Sequence, residues 1–331
     1  MLAILTSVSS HPYATTAVSL LTLYYLIQRL SSSPSRTLII PANEERVLIL
    51  GATSGIGREI ALRYARRRAR VCVVGRRAEL LNEVSRDCMQ LQTDYTKVLG
   101  LVGDFTVVED MVHVRDALQS KWGGIDTVIV NAGVSALRPL LDVTDEYEHI
   151  SGPPKERRMP SAAGIEQALK TSQAAITGNY SGPLIAAVTF IPLLEQTSRA
   201  PALLQVSSLA SVIPAPTRTL YGSTKAASFL LYKALGIEHP SVRVSCVLPS
   251  TVEGDFRASA VDGGPVREAD PGKTGLLKGD VAERCILAVD QRERTVFIPW
   301  KMKLAMGLWW LWPAFVDSKA AKKYQFVSTG Q

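Results

Sequence analysis

The chain has 331 residues, which allows one large domain with appendages or at most two ordinary domains. Its hydrophobic fraction of 47% indicates a sizeable core, and its mean hydropathy of +0.11 is unusual for a purely soluble chain. The formal net charge is +7, but no basic face interleaved with aromatic residues accompanies it, which argues against nucleic-acid binding. A cationic surface that faces anionic lipid headgroups is the simpler explanation.

The cysteines and histidines exclude two further kinds of site. All four cysteines and all four histidines are dispersed, without a CxxC pair or metal-ligand spacing. We therefore predict neither disulfides nor a metal site, and a reducing compartment. Cys72 and Cys246 fall inside apolar runs, where a free thiol behaves as a small hydrophobic group.

The N-terminus predicts a membrane anchor. No charged residue precedes Arg29, and the mostly apolar stretch 13–30 approaches the ~20 residues that a spanning helix needs. A cleaved signal peptide is the main alternative, but it favours positive charge before the apolar run and small residues at a cleavage site. We expect a transmembrane helix within 1–30 and a linker over 31–45, with Arg29 and Arg36 placing the rest of the chain on the cytoplasmic side.

From residue 46 onward, short apolar runs alternate with helical patterns. Several runs are continuously apolar, as expected when helices cover both faces of a sheet. The alternation predicts an α/β fold in which a Rossmann-type, doubly wound parallel sheet forms a single domain over 46–299. The predicted strands are Val47–Leu50, Val71–Val74, Val98–Val102, Thr127–Val130, Leu203–Val206, Val242–Leu248 and Thr295–Ile298.

A glycine-rich turn, Gly-Ala-Thr-Ser-Gly-Ile-Gly, follows the first predicted strand and precedes a helix that opens near Arg58. Glycines in such a turn let the backbone approach a pyrophosphate, which then lies at the positive end of the helix. The turn therefore predicts a dinucleotide site. Its cofactor contacts are expected from Gly51, Thr53, Ser54, Gly55, Ile56 and Gly57.

The end of the second predicted strand favours NADP(H) over NAD. Gly75, Arg76 and Arg77 stand where an NAD site usually has an acidic residue for the ribose hydroxyls. Guanidinium groups can hold a 2′-phosphate, which a carboxylate would repel. We predict that Arg76 and Arg77 bind this phosphate. A solvated basic loop that continues the arginine-rich helix is the alternative.

Three later side chains have the spacing of an acid–base site. Ser208 follows a predicted strand, Tyr221 lies thirteen residues later, and Lys225 is four residues further on. On one helix, Tyr221 and Lys225 point to the same face. A phenol titrates near pH 10, and a nearby ammonium lowers that pKa. Together with the GxxxGxG turn, these residues resemble the short-chain dehydrogenase/reductase family over about 46–299.

This resemblance implies a role for each matching residue. Tyr221 is expected to be the acid and base, Lys225 to bind the nicotinamide ribose as well, and Ser208 to hold the substrate oxygen. Asn179 matches the family's fourth catalytic residue, which holds a water of the proton relay, and it also lies in a glycosylation sequon. Further cofactor contacts are expected from Asp104 at the end of the third strand and from Asn131, Ala132, Gly133, Thr251 and Val252.

The chain departs from the family pattern at four places. Leu50, Val130 and Ser250 stand where the family usually has Thr, Asn and Gly. The interval before Asn179 is longer than usual, which predicts an inserted surface loop within about 145–172.

The tail over 300–331 is rich in tryptophan. Four of the five tryptophans lie between Trp300 and Trp312, with several lysines nearby. The segment Leu304 to Phe315 is too short to span a bilayer, and it suits the membrane interface. A packing element of the core or of a dimer is the alternative.

The resemblance implies reversible hydride transfer between NADP(H) and a carbonyl/alcohol pair. The predicted anchor favours a lipophilic substrate and the endoplasmic reticulum membrane, and members of the family are commonly homo-oligomers. A membrane-tethered binding or scaffold protein that keeps the fold without turnover is the alternative.

Overall fold

The computed structural model describes residues 35–145, 159–265 and 275–326, together with the isolated positions 16, 19, 22 and 23. The chain divides into two units, Met1–Ser35 and Arg36–Gln331. Apart from those four isolated positions, the predicted anchor over 1–30 lies outside the described residues. The second unit carries the fold.

Seven parallel strands form one sheet, in the order β3-β2-β1-β4-β5-β6-β7. The order reverses between β1 and β4, and ligands of doubly wound sheets bind at such a switch point. Every predicted strand is confirmed, with ends that differ by at most one residue. The strands are β1 (Arg46–Leu50), β2 (Arg70–Gly75), β3 (Val98–Val102), β4 (Thr127–Val130), β5 (Ala202–Val206), β6 (Arg243–Pro249) and β7 (Thr295–Ile298).

Helices cover both faces of the sheet, which explains why its strands are continuously apolar. Val47 and Ile49 of β1 belong to one core cluster, whereas Leu48 and Leu50 belong to the other. The helices are α1 (Gly55–Arg66), α2 (Ala78–Gln90), α3 (Val108–Trp122), α4 (Ala162–Ile176), α5 (Gly182–Thr197), α6 (Thr219–Glu238), α7 (Lys278–Asp290), α8 (Met302–Leu311) and α9 (Pro313–Lys323).

The second unit begins with a buried arginine. Arg36 is 2% exposed, and its guanidinium donates to the carbonyl oxygens of Ala200 at 2.7 Å and Asp126 at 2.9 Å. It also pairs with the Glu45 carboxylate. Beside it, two nitrogens of Arg46 each lie 2.9 Å from an oxygen of the Asp126 carboxylate. These bonds fix the entry of the chain at the N-terminal edge of the sheet.

A π-turn at Thr177–Ser181 joins α4 to α5 in one helical run, 162–197. In the part of the chain that the structure describes, this run is the one helix long and apolar enough to cross a membrane, but half of its most apolar window is buried in the domain. The start of this helical run also bears on the predicted insertion within about 145–172, because part of that range is helical. Residues 162–172 are helical, and 146–158 lie outside the described residues.

The C-terminal helices α8 and α9 bury no residue. Trp300, Trp310 and Leu311 are 74%, 75% and 86% exposed. Met302 packs partly against a core cluster. These exposures argue against the core-packing alternative for the tail.

The four cysteines are buried and form no disulfide. Burial raises the pKa of Cys88, Cys246 and Cys285 to about 12, so their thiols are protonated at neutral pH. The prediction that Cys72 and Cys246 act as small hydrophobic groups is confirmed by their full burial within strands.

Candidate active site

The four predicted catalytic residues belong to three elements around the C-terminal ends of β4 and β5. Ser208 lies two residues past β5, Tyr221 and Lys225 lie one turn apart on α6, and Asn179 lies in the π-turn before α5. The loops that follow parallel strands meet at this edge of the sheet, so residues far apart in sequence can meet here.

Lys225 is the buried cation of this site. It is 4% exposed, and its Nζ donates to the carbonyl oxygen of Val206 at 3.3 Å. Burial lowers the pKa of Lys225 to about 8, because a low-dielectric surrounding disfavours the ammonium. The lysine can therefore gain or lose its proton near physiological pH.

Asn179 connects the loop after β4 to the catalytic helix. Its Oδ1 accepts from the Val134 amide at 2.9 Å, and its Nδ2 donates to the Val134 carbonyl at 3.0 Å and to Thr224 Oγ1 at 3.1 Å. The side chain is fully buried, which prevents glycosylation in the folded state at the sequon that contains it.

Gly133, the last residue of the Asn-Ala-Gly motif, is the point where two catalytic side chains approach the end of β4. A Cβ on Gly133 would lie 2.8 Å from Asn179 Oδ1 and 3.1 Å from Lys225 Nζ. A larger residue would displace both groups, so the structure brings Gly133, Asn179 and Lys225 together at the end of β4.

Ser208 caps the short 3-10 helix Leu209–Ser211. Its Oγ accepts from the Ala210 amide at 3.2 Å. A hydroxyl that accepts through one lone pair keeps its proton for donation. Ser208 can therefore donate to a substrate oxygen.

Tyr221 lies between an aromatic and a cationic side chain. The Phe256 ring stands edge-on to it with centroids 6.0 Å apart, and the Arg218 guanidinium lies 5.8 Å from the tyrosine ring centroid. Arg218 is 6% exposed and donates to Ser135 Oγ at 2.8 Å. The sequence analysis missed Arg218, although a basic residue three positions before the tyrosine was a visible signal.

The glycine-rich turn is packed against the start of α1 and the end of β4. A Cβ on Gly57 would collide with the carbonyl oxygen of Gly51, to which Asn131 Nδ2 donates at 2.9 Å. Ser54, the residue before α1, makes no side-chain cap bond. The first amides of α1 thus face the turn without a capping side chain, an arrangement that fits a pyrophosphate.

Leu50 changes how this turn is supported. Its side chain is fully buried in the core, so no hydroxyl stabilises the turn from this position. Instead, the amides of Gly51 and Ala52 donate to the carbonyl oxygen of Val74 at 3.0 and 3.1 Å. Backbone bonds to β2 therefore hold the turn.

The two predicted phosphate-binding arginines lie beside the turn. Arg77 Nη2 donates to Thr53 Oγ1 at 2.9 Å and to Ser54 Oγ at 3.0 Å. Arg76 is exposed, and its guanidinium lies 3.5 Å from the Asp104 carboxylate. Asp104 lies two residues beyond β3 rather than at its end, because the strand pairing stops at Val102.

The segment after β6 borders the site from the other side. Thr251 accepts from the Leu276 amide at 2.9 Å, and Val252 forms an isolated bridge with Leu276. Further along, Asp262 Oδ2 accepts from the amides of Leu137 and Arg138 at 2.7 and 2.8 Å. This carboxylate, which the sequence analysis did not single out, fastens the segment after β6 to the loop after β4.

The fold and this site define a dinucleotide-binding protein of the doubly wound class, with a tyrosine and a buried lysine on one helix at the switch point. The short chain dehydrogenase family model matches residues 45–150 and 159–263. The match covers more than half of the chain, and the chain belongs to this family.

The individual relatives described next share between 17% and 30% sequence identity with this chain. The 11-beta-hydroxysteroid dehydrogenase-like protein 4A of Arabidopsis thaliana is 30% identical over 212 residues, which cover 64% of this chain and 62% of that protein, less than two thirds of its length. The alcohol dehydrogenase of Thermococcus sibiricus, solved with 5-hydroxy-NADP, is 24% identical with a TM-score of 0.59, covering 77% of this chain and 94% of that chain. A short chain dehydrogenase/reductase of Burkholderia phymatum, solved with NAD, is 17% identical with a TM-score of 0.66, covering 81% and 93%. These two structures share the fold, which confirms the predicted fold class.

Proposed function

We propose that the chain is an NADP(H)-dependent oxidoreductase that interconverts a carbonyl and an alcohol. The observation that carries the proposal is the approach of Lys225 and Asn179 to Gly133, with Tyr221 one turn away from Lys225 on α6. Family membership supplies the reaction class, and every catalytic position of the family has a matching residue in this chain.

In this mechanism, Tyr221 exchanges a proton with the substrate oxygen. The positive charge of the Lys225 ammonium favours the phenolate form of Tyr221. The phenol can therefore exchange a proton with the substrate more readily near neutral pH. Ser208 donates to the same oxygen and stabilises the charge that develops there. Asn179 keeps α6 and the loop after β4 in place. A nicotinamide cofactor supplies or accepts the hydride when bound.

The residues that would hold this cofactor fit NADP(H). The glycine-rich turn and the start of α1 suit the pyrophosphate, and Arg76 and Arg77 offer two cations where a 2′-phosphate would lie. Arg77 already contacts the turn, which supports a role in binding. The remaining contacts are assigned to Asp104, Asn131, Ala132, Gly133, Thr251 and Val252.

The proposed substrate is lipophilic, of the size of a sterol or a comparable lipid. The Phe256 ring stands edge-on to the Tyr221 ring, and Tyr221 and Val261 both pack against the apolar cluster of Ala136, Val143, Ala175 and Leu220, so the surroundings of the tyrosine are partly apolar. The name of the Arabidopsis relative, a hydroxysteroid dehydrogenase-like protein, supports the same substrate class.

We also propose that a single anchor within 1–30 holds the catalytic domain at the cytoplasmic face of the endoplasmic reticulum, and that the chain forms homo-oligomers. The apolar sequence over 13–30 and the exposed tryptophans Trp300, Trp310 and Trp312 of the tail support membrane attachment.

The test uses the full chain purified in detergent. NADPH and NADH are titrated, and NADPH oxidation is then followed on a panel of lipophilic ketones. Tight NADPH binding with turnover on one class of ketone is expected. Binding without turnover on any ketone would favour the scaffold alternative, and no binding at all would overturn the cofactor assignment.

Tyr221→Phe is the matched variant, because it keeps the ring that packs against Phe256 and removes the hydroxyl. We expect its NADPH affinity to match that of the wild type while turnover falls by at least about a hundredfold. An active variant would overturn the role of Tyr221.

A further inference from the structure

Basic residues line the N-terminal edge of the sheet, at the end opposite the candidate active site. Each begins a strand or precedes one by up to three residues. In their order across the sheet they are Lys97, Arg70, Arg199, Arg243, Arg294 and Arg292, and we call them the basic edge.

The sheet order makes this edge long and continuous. Lys97 precedes β3 at one end of the sheet, and Arg294 precedes β7 at the other. Neighbouring strands lie about 4.8 Å apart, so seven strands spread these charges over roughly 30 Å. Residues that are remote in sequence thus form one surface.

Carboxylates near this edge are engaged by arginines outside it or by hydroxyl groups, and one of them lies near Arg199 of the edge itself. Asp126 pairs with Arg46, Glu45 with Arg36, Glu293 with Arg284 and Asp290 with Arg67, Asp94 and Glu195 accept from the hydroxyls of Thr96 and Ser241, and Glu44 lies 3.9 Å from Arg199. Lys97 donates to the carbonyl oxygens of Asn43 and Arg68. Among the described residues it forms no direct ion pair, although the charge of nearby Asp94 interacts with it. The edge therefore keeps an excess of positive charge.

Three arginines crowd together at the β6–β7 end. Cys246 of β6 is in register with Thr295 of β7. The chain segments just before this pair therefore also run side by side, which places Arg243 near Arg292 and Arg294. Partial burial, and then repulsion from Arg292 and Arg294, lowers the pKa of Arg243. Among the described residues, no carboxylate oxygen lies within 4 Å of these three, and Arg292 Nε is buried without a hydrogen-bond partner. An anionic partner would relieve this repulsion.

A concave site opens at the other half of the same edge. Its volume is about 430 Å³, and its charged lining consists of Arg46, Arg70, Lys97, Arg199, Glu44 and Asp126. Cations exceed carboxylates in this lining, so the site suits an anionic headgroup.

We propose that the basic edge binds the surface of an anionic phospholipid bilayer, an inference that rests on the membrane attachment proposed above. An array of positive charge spread over roughly 30 Å of the sheet edge matches an extended lipid surface better than a compact acidic protein. The chain also enters the domain at this edge through Arg36, and the sequence before Arg36 carries the apolar run 13–30.

The test measures hydrogen exchange of the full chain, reconstituted in phosphatidylcholine vesicles with and without phosphatidylserine. Amides over 241–244 and 291–295 should exchange several-fold more slowly when phosphatidylserine is present, and high salt should abolish the difference. Arg243→Gln combined with Arg294→Gln should lose this protection. Arg86→Gln with Arg115→Gln, which removes equal charge from the middles of α2 and α3, should keep it.

Thermal unfolding in detergent separates loss of binding from loss of folding. The Arg243/Arg294 double variant should unfold at the same temperature as the wild type or higher, because repulsion is removed. Equal exchange in both kinds of vesicle would overturn the proposal. Protection by added RNA but not by phosphatidylserine would overturn it in favour of a nucleic-acid surface.

The same vesicles distinguish this proposal from the proposed anchor and activity. Co-flotation with phosphatidylcholine alone tests the anchor, and NADPH oxidation tests the enzyme. A chain that floats only with phosphatidylserine vesicles would contradict the anchor and still support the basic edge.

Discussion

Asn179 holds Val134 at two points: Oδ1 accepts from the Val134 amide at 2.9 Å, and Nδ2 donates to the Val134 carbonyl at 3.0 Å. A side-chain amide here makes the pair of bonds that a neighbouring strand would otherwise make. Because Nδ2 also donates to Thr224 Oγ1 at 3.1 Å, one side chain fixes the loop after β4, the π-turn and α6. Lys225 follows Thr224, so its position depends on Asn179.

Replacing Asn179 with Leu, which is similar in size, should remove this connection. The variant leaves the amide and carbonyl of the partly buried Val134 without their Asn179 partners, so we expect the free energy of unfolding to fall by about 2 kcal/mol. Turnover should fall more than NADPH affinity, because the lysine shifts while the glycine-rich turn does not. Denaturant titration and steady-state kinetics measure both effects. Asn82→Leu, on the exposed face of α2, is the control. Unchanged turnover would show that Asn179 has no part in positioning Lys225.

Replacing Arg76 and Arg77 with Ala should weaken NADPH binding selectively. Only NADPH carries the 2′-phosphate, and hydrogen bonds to charged groups contribute roughly 1.5–3 kcal/mol, so its Kd should rise about tenfold to a hundredfold. The Kd of NADH should change little. Titration of both cofactors measures this, with Arg86→Ala as a control for an exposed arginine on α2. Equal losses for the two cofactors would mean that Arg76 and Arg77 are surface charges.

The sheet could be predicted because its central strands are buried on both faces, which makes each one a short continuous apolar run. The errors at strand ends come from residues such as Arg70, whose charge suggests a loop although its backbone pairs in β2. The π-turn at Thr177–Ser181 could not be predicted, since the bonds of Asn179 reach Val134, 45 positions away.

The part of the site that could be predicted consists of residues that lie close together in the sequence. Tyr221 and Lys225 share one helix, so their common face follows from their interval. Arg218 is different, because its burial depends on Ser135, 83 residues earlier. Leu50 stands where the family usually has Thr, and the amide bonds to Val74 that hold the turn are not revealed by any side-chain pattern.

Lys225→Met should stabilise the fold at neutral pH while abolishing turnover. Burial lowers the pKa of Lys225 from 10.5 to about 8. Below that value the lysine is protonated in both folded and unfolded chains, and the cost of burying the charge is fully present. As pH rises from about 8 to 10.5, the unfolded chain binds more protons, so the wild type gains stability. The variant should therefore be more stable by up to about 3 kcal/mol near pH 7, with a smaller advantage near pH 10.

Thermal and chemical unfolding at the two pH values measure this effect, with the exposed Lys121→Met as the control. A Lys225→Met variant that is less stable than the wild type at neutral pH would contradict the prediction. It would show that the bond from the ammonium to the Val206 carbonyl outweighs the cost of burial.

The tryptophans of the C-terminal tail should contact lipid when the chain is in a bilayer. Four of the five tryptophans are Trp300, Trp309, Trp310 and Trp312, and the fifth, Trp122, packs against the core. In Trp122→Phe, the emission therefore comes from the tail alone. Brominated phospholipids quench indoles near the acyl chains, so we expect most of this emission to be lost in brominated vesicles and kept in ordinary ones.

The alternative explanation of the exposed tail is a dimer interface, since large apolar patches mark either kind of contact. The same variant distinguishes the two. If chains that co-float with the vesicles keep their emission, and crosslinking from the Lys319 side chain joins two copies, the tail belongs to a dimer interface. Quenching together with a blue-shifted emission places the exposed indoles of the tail in the lipid interface, where lysines on both C-terminal helices can reach the headgroups.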